Sequence, residues 1–267
     1  MISSVINKLF QLLFIASSIL FANEEKIEFD IKNTKQGLSD NDISSIENDG
    51  HGFLWLGTNE GLNRYDGYEF KTYQSNFFDS TALSGNVIWS IFKDSDGDIW
   101  VGTDKGIDQY IYGLDQFKRY NLGSKPVNVI QDETDGSIII ASENTGLHLI
   151  NKRDGSTLSF KNDPNDGFSI SSNSFNINQH NPIAIDELGN IWVATDNGLN
   201  YYRKDKDIFT RFNQREGLSD NKINTLMAKG DYIYVGSSKG LDRINIKSFN
   251  IEKLSGNVWF SFTGLYG

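Results

Sequence analysis

The chain of 267 residues contains no cysteine, three prolines and three histidines. Without cysteine it has no disulfide bonds, no thiolate metal site and no cysteine nucleophile. The histidines, His51, His148 and His180, are too scattered along the chain to suggest a metal cluster, and we expect no cofactor. The 25 Lys and Arg residues are outnumbered by 35 Asp and Glu residues, which argues against a nucleic-acid partner.

Aromatic residues and glycine are what the sequence has in abundance. Aromatic side chains make up 13% of the chain, and 25 residues are glycine. Many aromatic residues combined with many glycines and few prolines are typical of an all-β protein with frequent tight turns. Disorder is therefore excluded as a description of the whole chain.

Residues 1–22 have the order of a secretory signal peptide. Lys8 precedes an apolar run of 13 residues, Leu9–Phe21, and Ala22 stands before a polar segment. The run is shorter than the roughly 20 residues that span a bilayer as a helix. We predict cleavage near Ala22, no later membrane span and a periplasmic or secreted protein. An uncleaved N-terminal anchor and a buried helix are the alternatives.

Five internal repeats organise the rest of the chain. Each ends its second hydrophobic run on a small residue, and these residues are Gly57, Gly102, Ala141, Ala194 and Gly236. Their spacings of 39 to 53 residues scatter around the roughly 40–50 residues of a propeller blade. The copies are placed approximately at 37–73, 83–120, 125–160, 171–212 and 217–254.

Each repeat supplies four short strands separated by turn residues. In the first copy the strands are expected near 43–48, 53–57, 62–65 and 69–73. A four-stranded sheet cannot bury both of its faces alone, whereas sheets that stack on one another bury them between neighbours. The repeats therefore predict an all-β fold, a β-propeller of four-stranded blades.

One large side chain recurs on the second strand of every copy. It is supplied by Trp55, Trp100, Ile139, Trp192 and Tyr234. A large apolar residue at a fixed place in every unit is interpreted as core between neighbouring blades.

The repeat pattern resembles that of the two-component regulator propeller family. The pattern reads GLSDN, then Ile, Asp-x-x-Gly, Trp-x-Gly-Thr, Gly-Leu and a closing Phe-x-x-Tyr, and it covers 27–262. Such repeats form periplasmic sensor regions of hybrid histidine kinases and of receptors fused to diguanylate cyclases. The resemblance implies a non-enzymatic sensor region for a small molecule or oligosaccharide, joined to further receptor domains.

Both ends of the chain carry partial repeat signals. Residues 27–31 match a fourth strand, and 256–262 match a first strand. We therefore interpret the sequence as five blades with a partial sixth, an incomplete propeller from the front of a longer receptor or from a shortened gene product.

Ligand contacts are expected where otherwise similar blades differ. The column after Ile43 on the first strand reads Ser44, Trp89, Val127, Asn181 and Asn224. Trp89 is expected either to stack on a sugar ring over the central channel or to fill the channel or a gap between blades. An insertion at 161–181 adds His180 as a further candidate contact.

Two rival functions use the same fold. An exported lyase or hydrolase acting on polysaccharide would need acid pairs, but most of the 35 acidic residues recur at repeat positions, which indicates structural roles. An envelope scaffold would use the blade faces. Asp94–Asp98 resembles a calcium loop, yet Ile99 and Lys105 stand where such a loop needs Gly and Glu, so no metal site is predicted.

Overall fold

The computed structural model describes residues 29–122, 127–132, 136–142, 144–175 and 182–254. The chain divides into two compact units, Met1–Lys32 and Asn33–Gly267. In the first unit residues 29–32 are described; they form no strand, and the Lys32 ammonium lies 2.6 Å from the Asp30 carboxylate. The signal-peptide prediction and residues 27 and 28 of the predicted closing strand lie outside the described residues.

The second unit contains five four-stranded antiparallel sheets, each with its strands in chain order. The first sheet comprises β1 Ile43–Asn48, β2 Leu54–Thr58, β3 Gly61–Tyr65 and β4 Phe70–Tyr73. The second comprises β5 Ile88–Lys93, β6 Ile99–Thr103, β7 Ile107–Ile111 and β8 Gln116–Tyr120. The third comprises β9 Val127–Asp132, β10 Ser137–Ser142, β11 Gly146–Asn151 and β12 Thr157–Phe160. The fourth comprises β13 Ile183–Ile185, β14 Ile191–Thr195, β15 Gly198–Arg203 and β16 Ile208–Phe212. The fifth comprises β17 Ile223–Lys229, β18 Tyr232–Ser237, β19 Gly240–Asn245 and β20 Ile251–Leu254.

These sheets confirm the all-β prediction and its four-stranded units. The described residues contain one helix, a single 3-10 turn at Thr34–Gln36. None of their helices has the length and apolar character needed to cross a membrane. The predicted first strand of a sixth unit, 256–262, lies outside the described residues.

The hairpin between the first two strands is held by a single aspartate. In the first sheet the Asp49 carboxylate accepts hydrogen bonds from the backbone N–H of His51 and Phe53 and from the indole Nε1 of Trp55, at 3.0 Å. Asp94 with Trp100 and Asp186 with Trp192 repeat this arrangement, each at 2.9 Å. The acidic turn thus satisfies the one polar atom of a buried indole.

Sheets pack face to face along the chain. Four clusters of buried apolar residues join the first sheet to the second, the second to the third, the third to the fourth and the fourth to the fifth. Trp55, Trp100 and Trp192 lie in three of these interfaces and are fully buried. The sheets are not closed: the clusters of the described residues include none between the fifth sheet and the first.

Small residues on the second strand of a sheet let the first strand of the next sheet approach. A Cβ atom added at Gly57 would lie 2.6 Å from the Ile88 Cγ2, and one added at Gly102 would lie 2.2 Å from the Val127 carbonyl oxygen. The small residue that ends the second hydrophobic run is therefore a consequence of sheet packing.

Candidate functional site

A bulge interrupts the first strand of four sheets at the same place. In β1, Ile43 pairs with Thr58 and Ser45 pairs with Gly57, so Ser44 is the extra residue. The registers of β5 and β17 leave Trp89 and Asn224 in the corresponding positions. A bulged residue has no cross-strand partner, and its side chain can be aimed differently from those of the regular ladder.

The bulge corrects one member of the predicted variable column. In β9, Val127 pairs with Ser142 and Val129 pairs with Ala141, which makes Asn128 the bulged residue. Val127 is instead fully buried in the cluster between the second and third sheets. The prediction was wrong at this position because the third repeat lacks the sequence landmarks that align the other copies.

The fourth sheet differs from the others at this same bulge. Ala194 donates its backbone N–H to the Pro182 carbonyl oxygen, so Pro182 corresponds to Ser45 and Ser90. Phe175 is buried in the adjoining core in the manner of Ile88. In the fourth repeat six residues, 176–181, therefore lie between Phe175 and Pro182, whereas in the second repeat Trp89 alone lies between Ile88 and Ser90. The candidates His180 and Asn181 belong to this segment and lie outside the described residues.

Most of the predicted insertion 161–181 is an ordinary connection. The amide oxygen of Asn173 accepts the backbone N–H of Asn162 at 2.7 Å, and Asn86 holds the backbone N–H of Ser75 at the same distance. Residues 161–174 thus form the same loop between sheets as 74–87. The extra residues of the fourth repeat reduce to the short segment at the bulge.

Trp89 differs in its surroundings from the other described tryptophans. Its side chain is 43% exposed, although Ile88 and Ile91 on the same strand are buried. The hydroxyl of Ser44 donates to the Ile88 carbonyl oxygen at 2.6 Å, which joins the two first strands beside Trp89. Ser44 and Trp89 are therefore neighbours, whereas Asn224 lies on the first strand of the fifth sheet.

A carboxylate lies close to the start of the strand that carries Trp89. The backbone N–H of Asp104 donates to the Val87 carbonyl oxygen at 3.0 Å. Its Oδ1 is buried without a hydrogen-bond partner, while its Oδ2 lies 3.4 Å from the Lys105 ammonium. Sequence reasoning missed Asp104, because it belongs to a turn whose residue types vary freely between repeats.

These groups suit binding by stacking and hydrogen bonding. The exposed indole of Trp89 offers an apolar face, and the Ser44 hydroxyl on the neighbouring first strand is a polar group close to it. The described residues hold no group of three His, Asp or Glu side chains that could bind a metal ion.

The calcium-like segment is a structural hairpin. Asp94 Oδ1 accepts the backbone N–H groups of Asp96 and Asp98, and Asp94 Oδ2 accepts the Trp100 indole. The Lys152 ammonium lies 2.6 Å from the Asp96 carboxylate and 3.5 Å from that of Asp94. A protein cation thus already occupies the acidic cluster.

A cleft lies between the third and fourth sheets. This cleft has a volume of about 300 Å³, and its walls include Leu149, Leu158, Tyr202 and Lys204. In the interface of the first two sheets, the positions of Ser137 and Leu149 are taken by Phe53 and Arg64, which stack on each other. Smaller side chains in the third sheet therefore open the cleft.

Comparison with known proteins confirms the resemblance noted from the repeats. Residues 37–60 and 82–105 match the profile of the family described as "Two component regulator propeller". A 47-residue segment is 49% identical to "Histidine kinase P4" from Formosa agariphila and represents 18% of this chain and 3% of that protein.

Solved structures share the fold over most of the chain. The extracellular domain of BT4673 from B. thetaiotaomicron, assigned to the hybrid two component systems, is 25% identical with a TM-score of 0.61. The match covers 84% of this chain and 32% of that domain, so the chain spans about a third of its relative. A streptogramin B lyase structure, 14% identical, has a TM-score of 0.54 over 83% of this chain and 71% of the lyase, and it shows the fold alone.

Proposed function

We propose, from the repeats shared with the two-component regulator propeller family, that this chain is the exported, ligand-sensing input region of a bacterial receptor. The support is the family match together with the likeness to the extracellular domain of BT4673. In this proposal the propeller binds and does not catalyse, and a kinase or cyclase module elsewhere in the receptor responds. The signal-peptide pattern of residues 1–22 supports export to the periplasm or beyond.

The half-exposed indole of Trp89 carries the proposal for the binding site. It lies on the bulge of a first strand, where the repeats vary and where the fourth repeat has its extra residues. An exposed aromatic face with the Ser44 hydroxyl on the neighbouring strand fits a sugar ring, which has apolar C–H faces and hydroxyl edges. The proposed ligand is therefore a small carbohydrate, with Asn224, Asn181 and His180 as further candidate contacts.

The test is the substitution Trp89→Ala, with binding measured by calorimetry against soluble glucan, mannan, xylan and galactan oligosaccharides. We expect at least about a tenfold loss of affinity for any oligosaccharide that the unsubstituted chain binds. The melting temperature should change little, because the indole is 43% exposed.

Trp100→Phe is the matched control, since Trp100 is fully buried in the core and forms a hydrogen bond with Asp94. It should lower the melting temperature and leave affinity unchanged. Unaltered binding by Trp89→Ala, or a large loss of stability, would instead favour a packing role for Trp89.

A further inference from the structure

The cleft between the third and fourth sheets lies at a place that other pairs of neighbouring sheets fill with interacting side chains. One filling residue is the third-strand partner of the recurring large residue, and the other stands two positions before that large residue. In the first sheet they are Arg64 and Phe53, with the guanidinium carbon 4.5 Å from the centre of the ring. In the second sheet they are Gln109 and Asp98, whose side chains form a hydrogen bond of 2.9 Å.

The third sheet departs from this arrangement. In the fourth sheet Tyr201 takes the position of Arg64, and its ring centre lies 4.8 Å from that of Trp192. The third sheet has Leu149 and Ser137 at the two filling positions. A leucine and a serine can neither stack on each other nor form a hydrogen bond with each other, and the space between the sheets is open as a cleft of about 300 Å³.

The wall of the cleft on the fourth sheet matches that of the filled interface. Tyr202 occupies the position of Tyr110, and its hydroxyl donates to Asp207 Oδ1 at 2.6 Å, as Tyr110 donates to Asp115 Oδ1 at 2.7 Å. In the first interface the Tyr110 hydroxyl also accepts a hydrogen bond from Arg64 Nη1 at 2.7 Å. The cleft thus keeps the wall that lies beside a stacked guanidinium and phenyl ring between the first two sheets.

The lining combines an apolar centre with one positive charge. Leu149, Leu158 and the ring of Tyr202 are apolar, and Lys204 is the only charged residue among the described residues of the lining. Burial lowers the pKa of Lys204, because its ammonium loses part of its hydration there. An ammonium in this state gains more from a nearby anion than a fully hydrated one does. The other polar residues of the lining are Ser137, Asn151 and Ser156.

We propose that this cleft binds a small aromatic carboxylate, with the ring against Leu149, Leu158 and Tyr202 and the carboxylate on the Lys204 ammonium. The ring is argued from the planar groups that fill the equivalent place in the first interface, and the negative charge from Lys204. A volume of about 300 Å³ is at the lower end of small-molecule sites, which suits a ligand with a single ring. The cleft is separate from Trp89 and does not rest on the function proposed above.

The test is calorimetry of the purified chain with benzoate, phenylacetate and trans-4-hydroxycinnamate. We expect at least one of these to bind, and its neutral amide to bind at least about tenfold more weakly, because the amide lacks the charge. Acetate should also bind at least about tenfold more weakly, because it lacks the ring.

Two substitutions place the ligand in the cleft. Ser137→Phe introduces the side chain that fills the first interface, and it should abolish binding without lowering the melting temperature. Lys204→Met keeps the aliphatic part of the side chain and should lower the affinity at least about tenfold, because a charged donor is removed. Any oligosaccharide that the unsubstituted chain binds should still bind to Ser137→Phe, which tests the cleft separately from the site at Trp89.

Lys206→Met is the matched control, because Lys206 is exposed on the same turn as Lys204 and lies outside the described lining. Its affinity for the carboxylate should be unchanged. Melting curves verify folding, and Leu158→Trp fills the cleft instead if Ser137→Phe unfolds. Four results would each overturn the proposal: binding of none of the three carboxylates, equal affinity for the amide, binding that survives filling of the cleft, or equal losses in Lys204→Met and Lys206→Met.

Discussion

At the scale of single residues, one buried polar position recurs on the third strand of every sheet. It is occupied by Asn63, Asp108, His148, Asn200 and Asp242, all of which are buried. In the four sheets other than the third, this side chain accepts the backbone N–H of a serine in the loop that leads into the same sheet. The position therefore ties each incoming loop to its sheet.

His148 occupies this position in the third sheet and contacts other residues of the same sheet. Its ring nitrogens lie 3.0 Å from the Thr145 hydroxyl and 2.8 Å from the Ser159 hydroxyl. Burial lowers the pKa of His148 to about 4, so the ring is neutral in the folded protein at neutral pH. The histidine thus has a structural role.

Asp108 is the position where a substitution should stabilise the protein. Its Oδ2 accepts both donors of Ser84, whereas its Oδ1 is buried without a partner, and burial raises its pKa to about 6. The pKa of Asp108 in the folded protein lies above its value of about 4 in the unfolded chain, so the folded protein favours the protonated carboxyl. The contribution of this group to the free energy of unfolding is therefore full below about pH 4 and is lost as the pH rises through about 6. In Asp108→Asn we expect a gain of about 1–3 kcal/mol in the free energy of unfolding at pH 7.5, shrinking towards pH 4, measured by urea titration.

The expected gain has a structural precedent and a control. Asn200, at the same position in the fourth sheet, donates its Nδ2 to the Val193 carbonyl oxygen at 3.1 Å. In Asp242, both carboxylate oxygens already accept hydrogen bonds from Ser219, so Asp242→Asn should give no gain. A loss of stability in Asp108→Asn at pH 7.5 would show that the ionised carboxylate is preferred there.

At the scale of elements, the two long connections between sheets are built alike. The Arg119 guanidinium donates to the carbonyl oxygens of Asp79, Ala82 and Leu83, within the loop that leads to β5. Arg211 does the same for the loop that leads to the fourth sheet, contacting Asp166 and Ser169. One arginine on the outer strand thus orders a loop that has no regular structure of its own.

Arg119→Met should remove this support while retaining the aliphatic part of the side chain. We expect a loss of about 1–3 kcal/mol in the free energy of unfolding, because several loop carbonyl groups lose a charged donor. Hydrogen exchange measured by mass spectrometry should rise in residues 76–83 and stay unchanged in the corresponding loop at 163–170.

Arg243→Met serves as the comparison: Arg243 pairs with Glu252 on an exposed surface, so this substitution should lower the free energy of unfolding less than Arg119→Met does. Equal exchange in both loops of Arg119→Met would mean that Arg119 does not order its loop.

The strands of the first sheet begin and end within one residue of their predicted positions. Turn glycines such as Gly61, with a φ of 128°, mark hairpins that depend on neighbouring residues only, so sequence locates them well. The bulge at Ser44, Trp89 and Asn224 could not be located in this way. It is a property of the register between two strands, and one extra residue leaves the hydrophobic pattern on either side intact.

At the scale of the whole second unit, the contribution of a core residue to the free energy of unfolding depends on where its sheet stands in the series. Leu199 and Leu241 occupy the same register position, but Leu199 is fully buried between sheets, whereas Leu241, on the last described sheet, is half-buried. Stability in such stacks arises from interfaces between neighbouring units.

Leu199→Ala should therefore cost about 2–5 kcal/mol in the free energy of unfolding, as is usual for a buried leucine. Leu241→Ala should cost about 1 kcal/mol, because less apolar area leaves water there. Urea titrations compare the two variants. Equal losses would show that Leu241 is covered as well as Leu199 is.

The sequence alone determined the repeat, the four-stranded unit, the turns and the residues that fill the core, because these depend on local periodicity and on glycines and aspartates near in the chain. The tertiary structure decided what depends on pairing between distant segments. It made Val127 a core residue, reduced the insertion of the fourth repeat to 176–181 and left Trp89 half exposed. It also buried Leu199 fully and left Leu241 half-buried, since how far an apolar strand residue is covered depends on which sheet stands beside it.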